Sequence, residues 1–283
     1  PRRLDGERRA ALGSQRAGDG SKITKRVRSG SQRLRSARLG AGLTRVPPAP
    51  VVDAAQAIMK NPEIPEEKRN CANCGSPVGR SRDGQPGRAE GFCPKCGNPF
   101  SFTPKLQPGD LVAKQYEVAG CLAHGGLGWI YLAKDRNVSD RWVVLKGLLN
   151  TGDKDALAVA IVEKQFLAQV EHPLIVEIYN FVTHDDAGYI VMEYVGGTSL
   201  KQILKDRMRA NNGKFDPLPV DQALAFILEI LPAFSYLHDL GLIYCDFKPD
   251  NLIQVGDAVK LIDLGGVRRA DDQESAIYGT VGY

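Results

Sequence analysis

The sequence predicts an α+β protein in two lobes, preceded by a small four-cysteine metal segment and a disordered basic arm. Three observations carry that prediction. Four of the six cysteines fall within 26 residues as paired C-x-x-C turns. Short β-rich runs separated by turn residues follow from Tyr116 to about Val195, the pattern of an antiparallel sheet. After Gly197 the texture becomes helical, with Ala223, Phe226, Ile227, Ile230, Leu231, Phe234 and Leu237 on one wide apolar face.

The arm comes first. Residues 1–50 hold 13 Lys and Arg against three acids, so they carry +10 in a chain of net +4, and the remainder is −6. Almost no aromatics and many Gly and Ser leave this stretch too little apolar surface to offset the entropy of ordering. It reads as disordered, and as a segment for an anionic partner, a phosphorylated tail or a solubilising tail. Base-stacking aromatics are nearly missing, which disfavours nucleic acid. No apolar run reaches the ~18 residues of a membrane span. Clustered cysteines suit an intracellular metal site better than a secreted disulfide framework, so a cytoplasmic location is expected.

Residues 51–68 form a linker, stiffened just before by Val46-Pro-Pro-Ala-Pro50, with one or two helical turns from Asp53 to Lys60. The metal segment, 69–102, contains Cys71-Ala-Asn-Cys74-Gly75 and Cys93-Pro-Lys-Cys96-Gly97, with 18 residues between the pairs. That spacing fits one tetrahedral four-thiolate site, and the glycine after each pair supplies the φ > 0 the turn requires. A dithiol redox pair would need only one such turn. So short a segment has too little core to fold alone, so the metal is expected to hold it together. Pro94 and the intervening length resemble rubredoxin. That resemblance implies iron and leaves zinc open, since S₄ geometry serves both. Cys121 and Cys245 have no partner at ligand spacing and read as small apolar residues.

From residue 110 to 283 the strands YEVAGCL, WIYLAKD, RWVVLKGL, IVEIYNFV and YIVMEYV give a five-stranded sheet, with a helix from Ala156 to Val170 inserted. Pro232 is expected to kink the later apolar helix or crowd its i−4 carbonyl. PFSFTPKL is too apolar to be a free linker, so the metal segment should pack on the upper lobe near Gly125–Gly128.

The chemistry lies in a few polar groups set among these elements. Ala123-His-Gly125-Gly126-Leu-Gly128-Trp-Ile130 falls between two strands, where glycines let backbone N–H groups approach phosphate oxygens. Lys146 ends the apolar strand Val143-Val144-Leu145, and a buried lysine needs an anionic partner. Glu163, on the polar side of the inserted helix, is the natural one. Leu242 to Ile253, LIYCDFKPDNLI, sets Asp246, Lys248 and Asn251 at fixed intervals between apolar flanks, and LIDLG places Asp263 beyond another strand.

Together these residues resemble the motif set of protein kinases: YCDFKPDNLI is similar to the catalytic loop, Asp263-Leu264-Gly265 to D-F-G, and Gly279-Thr280-Val-Gly-Tyr283 to the run before A-P-E. The resemblance implies a protein-kinase-like two-lobe fold whose lower lobe is incomplete in this chain. It implies ATP and Mg²⁺ as cofactors. Asp246 would orient the acceptor hydroxyl and take its proton. Lys248 would neutralise the γ-phosphate and point to serine or threonine as acceptor. Lys146, paired with Glu163, would reach the α/β-phosphates, and Asn251 and Asp263 would hold Mg²⁺. Ala123, Gly125, Gly126 and Gly128 would cover the phosphates. Ile130 and Val144 would cover the purine, Glu193 and Val195 would offer backbone contacts to adenine, and Met192 would guard the back of that pocket.

Several positions depart from the pattern. Ala123 stands for the first loop glycine, Val144 for alanine, Tyr244-Cys245 for His-Arg and Leu264 for Phe. Without an arginine before Asp246 no cation receives an activation-loop phosphate, so regulation should come from elsewhere in the chain. These departures, with NPEIPEEKRNC and CPKCGNPFSFTPKL, are similar to the actinobacterial (mycobacterial-type) protein kinase G family. That resemblance implies a serine/threonine kinase acting on a forkhead-associated (FHA) metabolic regulator. Recruitment would run through phosphothreonine in the arm, at Thr24 or Thr44. Two other readings stand beside it: a pseudokinase scaffold, and a rubredoxin-type electron-transfer module.

Overall fold

Alternating burial along Tyr116–Gly125 and Gly128–Asp135 puts one side of each strand against a core, the signature of a sheet with two different faces. The computed structural model describes residues 52–125, 128–147 and 165–271. Two short strands, β1 (Glu90–Phe92) and β2 (Pro99–Ser101), form a hairpin in the cysteine segment. Next come β3 (Leu111–Val112), β4 (Tyr116–Gly125), β5 (Gly128–Asp135), β6 (Arg141–Gly147), β7 (Ile178–His184) and β8 (Ala187–Glu193). They make one antiparallel sheet in the order β3-β4-β5-β6-β8-β7.

The sheet therefore has six strands and not five, because Leu111–Val112 adds a short edge strand against β4. IVEIYNFV becomes strand only from Ile178. Before it, Ile175 bridges Leu261 of the lower lobe in parallel, which holds this stretch away from the sheet. Of the inserted helix, Gln165–Gln169 is a 3₁₀ turn, Val170 is buried just beyond it, and residues 156–164 lie outside the described residues. Between Asp53 and Lys60 only Ala54–Ala57 is helical, a 3₁₀ turn that begins where Asp53 Oδ1 accepts from the Ala55 N–H at 3.0 Å.

The lower lobe starts with β9 (Thr198–Ser199) and α1 (Leu200–Ala210), whose N-cap Ser199 accepts from the Gln202 N–H at 3.1 Å. Helix α2 (Val220–Asp239) is continuous through Pro232, and Gly241 at φ +69° follows its end. Its Phe226, Ile230, Ala233 and Leu237 are buried against Leu200, Leu252, Leu261 and Val267. Full burial of Ile230 or Leu237 contributes roughly 1.5–3 kcal/mol each. The 20-residue α2 is long and apolar enough to cross a membrane by length and composition; one face of it is buried in the lower lobe, while Val220, Leu224, Ile227 and Leu231 are exposed. Four strands then frame the polar loops: β10 (Leu242–Tyr244), β11 (Leu252–Val255), β12 (Ala258–Leu261) and β13 (Val267–Arg269). β10 pairs with β13, and β11 pairs with both β12 and β9.

Candidate active site and metal centre

Each C-x-x-C turn folds in the same way. The Gly75 N–H donates to the Cys71 carbonyl at 2.9 Å and the Gly97 N–H to the Cys93 carbonyl at 2.8 Å, with both glycines in the left-handed region at φ +69° and +71°. The four sulfurs converge. Cys71 and Cys96 Sγ are 3.6 Å apart, as are Cys74 and Cys93 Sγ, and all four lie within 4.8 Å of one another. A tetrahedron with metal–sulfur bonds of about 2.3 Å has edges near 3.8 Å, so the cluster has the ligand set and approximate size for one ion. Hydrogen bonds from the Ser76 side chain and N–H pull the Cys74 thiol down to about 6, which favours the ligating thiolate.

The metal segment packs on the upper sheet. The Trp129 indole N–H donates to the Phe102 carbonyl at 3.1 Å, and the Lys105 N–H donates to Tyr131 Oη at 3.0 Å. His124 is wedged between the Phe102 ring, 5.7 Å away, and the Trp129 ring, 5.2 Å away, and burial pushes its pKa down. Trp129 and His124 are register partners beside Gly125 and Gly128. The segment from Val52 to Met59 reaches the same strand: the Met59 N–H donates to the Cys121 carbonyl at 2.8 Å. A Cβ on Gly120 would come within 2.6 Å of Ile58 Cγ2, so this strap needs glycine beneath it.

On the other face of the sheet, strand pairing lines up the predicted nucleotide residues. Ala123 pairs with Ile130, Ile130 with Lys146, and Val144 with Met192. Glu193 closes β8, Val195 follows it against the lower core, and Met192 is buried. Gly126 and Glu163 lie outside the described residues. The carboxylate that meets Lys146 here is Asp263: Nζ donates to Oδ1 at 2.6 Å, with the lysine side chain 16% exposed.

The loop after β10 gathers the remaining groups. Lys248 Nζ donates to Asp246 Oδ2 at 2.6 Å. Asn251 Nδ2 donates to the Asp246 carbonyl at 2.8 Å, to Asp246 Oδ2 at 3.1 Å and to Tyr244 Oη at 3.0 Å. The next segment is tied to this one, since the Ile262 N–H donates to the Asn251 carbonyl at 3.0 Å. Burial pushes the Asp263 carboxyl up, but Lys146, the Gly265 N–H at 2.8 Å and the Lys248 charge outweigh it and hold the group below the ordinary range. Burial and the neighbouring Asp263 charge push the Tyr244 hydroxyl well up, so it stays protonated.

Asn251 and Asp263 thus offer hard oxygen donors beside two lysines, the chemistry that suits Mg²⁺ with phosphates. Asp246 and Lys248 meet in the loop after β10, and Lys146 of the upper sheet meets the Asp263 carboxylate, whose pKa is depressed. The arrangement can orient a hydroxyl and neutralise an anion next to it.

Two contributors escaped the sequence reading. A Cβ on Gly266 would sit 2.7 Å from Asp246 Cβ, and the Cys245 N–H donates to the Gly266 carbonyl at 2.9 Å. The doubled glycine of LIDLGG was the available signal. Lys260 bonds the Glu193 carboxylate at 2.5–2.6 Å, and nothing in its local sequence marks it.

Residues 116–283 match the protein kinase domain family, and residues 33–106 match the protein kinase G rubredoxin domain. The serine/threonine-protein kinase PknG of Mycobacterium leprae is 54% identical over 257 residues, covering 87% of this chain and 33% of the relative. PknG of Mycolicibacterium smegmatis is 55% identical over 251 residues, covering 87% and 32%. The chain therefore spans about a third of the length of these curated relatives. A crystal structure of the Mycobacterium tuberculosis PknI kinase domain aligns at 27% identity with a TM-score of 0.48, over 57% of this chain and 62% of that one.

Proposed function

The chain belongs to the protein kinase family, and on that premise we propose that it transfers the γ-phosphate of ATP to serine or threonine of protein substrates. The observation that carries this reading is the cluster in which Lys146 meets Asp263 while Lys248 and Asn251 converge on Asp246. Bound ATP would supply the phosphoryl group, and Mg²⁺ would offset the charge that develops in transfer. Asp246 is the general base that orients and deprotonates the acceptor hydroxyl, and Lys248 holds the negative charge nearby. Lys146 and the backbone around Ala123, Gly125, Gly126 and Gly128 hold the phosphates, with Glu163 as a further partner of Lys146. Asn251 and Asp263 hold the cation. Ile130 and Val144 cover the purine, and Glu193 and Val195 present backbone groups to it.

The domain division that goes with this function is an arm (1–50), a linker (51–68), the metal segment (69–102) and the kinase domain (110–283). The metal is iron or zinc, and it modulates turnover through the contact with the glycine-loop strands. The substrate is an FHA-domain regulator recruited by phosphothreonine in the arm, and the protein works in the cytoplasm. The relatives named as serine/threonine-protein kinases support the activity.

The test is ATP-dependent phosphate incorporation into serine or threonine by the full-length protein, with elemental analysis of the same sample. Nucleotide binding without turnover would favour a pseudokinase scaffold. Reversible metal reduction without any phosphorylation would favour electron transfer.

A further inference from the structure

The two ends of the proposed nucleotide site are joined by a closed ring of polar contacts outside the catalytic cluster. Lys260 Nζ donates to both carboxylate oxygens of Glu193, at 2.6 Å to Oε1 and 2.5 Å to Oε2. The side chains are only 18% and 26% exposed, so water screens this pair less than an ordinary surface pair. Glu193 is clamped from the other side as well. Its N–H donates to the Glu177 carbonyl at 2.9 Å, and the Glu177 N–H returns a bond to Glu193 Oε2 at 3.2 Å. The chain just before Glu177 is bonded back to the strand that bears Lys260. Val176 N–H donates to the Leu261 carbonyl at 2.8 Å, and Leu261 N–H donates to the Leu174 carbonyl at 2.8 Å.

Glu193 ends the upper-sheet strand β8, whereas Lys260 lies on β12 of the lower lobe, three residues before Asp263. Alternation along β12 explains why the lysine is available. Val259 and Leu261 point into the lower core, which leaves Lys260 on the opposite face, toward β8.

We infer that Lys260 is a positioning residue for the nucleotide. Its ammonium fixes the Glu193 carboxylate and with it the backbone of 193–195, and ties that backbone to the strand that delivers Asp263. This inference rests on the nucleotide reading of the cleft given above. Adenine edge and phosphate-side cation ligand are then held at one spacing by this ion pair together with the backbone bonds that run from Glu193 through Glu177 and Val176 to Leu261. Loss of the pair would let 193–195 shift against Asp263, which weakens binding of the whole nucleotide. Chemistry on nucleotide already bound would change little, because Lys146, Asp246, Asn251 and Asp263 remain in place.

The experiment is calorimetric titration of full-length protein with ATP plus Mg²⁺, together with steady-state kinetics and thermal melting. Lys260→Met should weaken ATP binding roughly tenfold, the size of coupling expected between contacting charged groups, with turnover at saturating ATP kept within about twofold. Lys260→Arg should bind as the wild type does. The reversed pair, Glu193→Lys with Lys260→Glu, should recover most of the loss. If Lys260→Met fails to fold, Lys260→Gln takes its place with the same expectation. Unchanged ATP affinity in the folded single variant, a rise in turnover, or no recovery in the reversed pair would each overturn the inference. Wild-type protein that binds no ATP at all would instead sink the nucleotide reading on which it stands.

Discussion

Lys146 Nζ lies 2.6 Å from Asp263 Oδ1, which joins the end of β6 to the segment beyond β12 directly across the cleft. Asp263 titrates below its ordinary value of 3.8 despite its burial. The folded state therefore binds fewer protons at this site than the unfolded chain does. The contribution is complete above the unfolded value and is lost as pH falls through the native one. The stability difference between wild type and Asp263→Asn, measured by denaturant unfolding, should be flat from about pH 5 to 8 and shrink below about pH 4. A difference that instead grew on acidification would mean that Lys146 does not hold this carboxylate ionised.

Asp246→Asn keeps the shape of the loop and removes the proton acceptor. The Asn251 and Lys248 contacts to Asp246 can be made to an amide oxygen as well, so the loop should stay folded. Turnover should fall by roughly 10²–10⁴, the usual contribution of a positioned general base. ATP affinity should hold, since Lys146 and the cation ligands are untouched. Near-normal phosphate transfer by the variant would remove Asp246 from that role.

The polar residues of the cleft were legible because each stands in a short motif at fixed spacing: Asp246, Lys248 and Asn251 within one loop, Asp263 after one strand. The four cysteines were legible for the same reason. What escaped notice depends on long-range packing. Lys260 is one lysine in an otherwise unremarkable strand, and only the fold brings it 67 positions along the chain to Glu193. Gly266 matters because the Asp246 loop comes within 2.7 Å of where its Cβ would be, a distance that no local pattern encodes. The sixth strand, Leu111–Val112, is too short to show alternation. The strand begun at Ile175 was read too early because its apolar residues serve two lobes: Ile175 and Val176 face the lower core, and Ile178 starts the sheet.

Thr24 and Thr44 of the arm lie outside the described residues. If phosphothreonine there recruits an FHA protein, tethering raises the local substrate concentration without any change in the cleft. Deletion of residues 1–45 should then weaken phosphorylation of the FHA protein by about 10²-fold or more and leave a short peptide unaffected. Equal losses on the two substrates would discard recruitment.

Metal removal tests whether the cysteine segment supports the cleft. Trp129 and His124 sit on the strands that flank the glycine loop, and both rest on Phe102 at the end of the metal segment. The segment's own core is small: Cys71, Val78, Cys93 and Phe102 are its buried residues, with Ile64 and Phe100 packed beside them. Such a core cannot hold the turns without the metal. Replacing Cys71 and Cys96 together with Ser should abolish metal binding and release Phe102. The buried indole N–H of Trp129 then loses its acceptor, at a cost of about 1–3 kcal/mol. The upper sheet keeps its own core of Val118, Tyr131, Val143, Leu145 and Val191, so the kinase domain should stay folded. Turnover should therefore fall by more than the folded fraction does, and Trp129→Phe, which lacks the indole N–H but retains the metal, should reproduce part of that fall. Melting and turnover measured on the same samples decide the matter. Turnover that merely follows the folded fraction would make the segment a staple, and a gain would mean that it blocks the cleft.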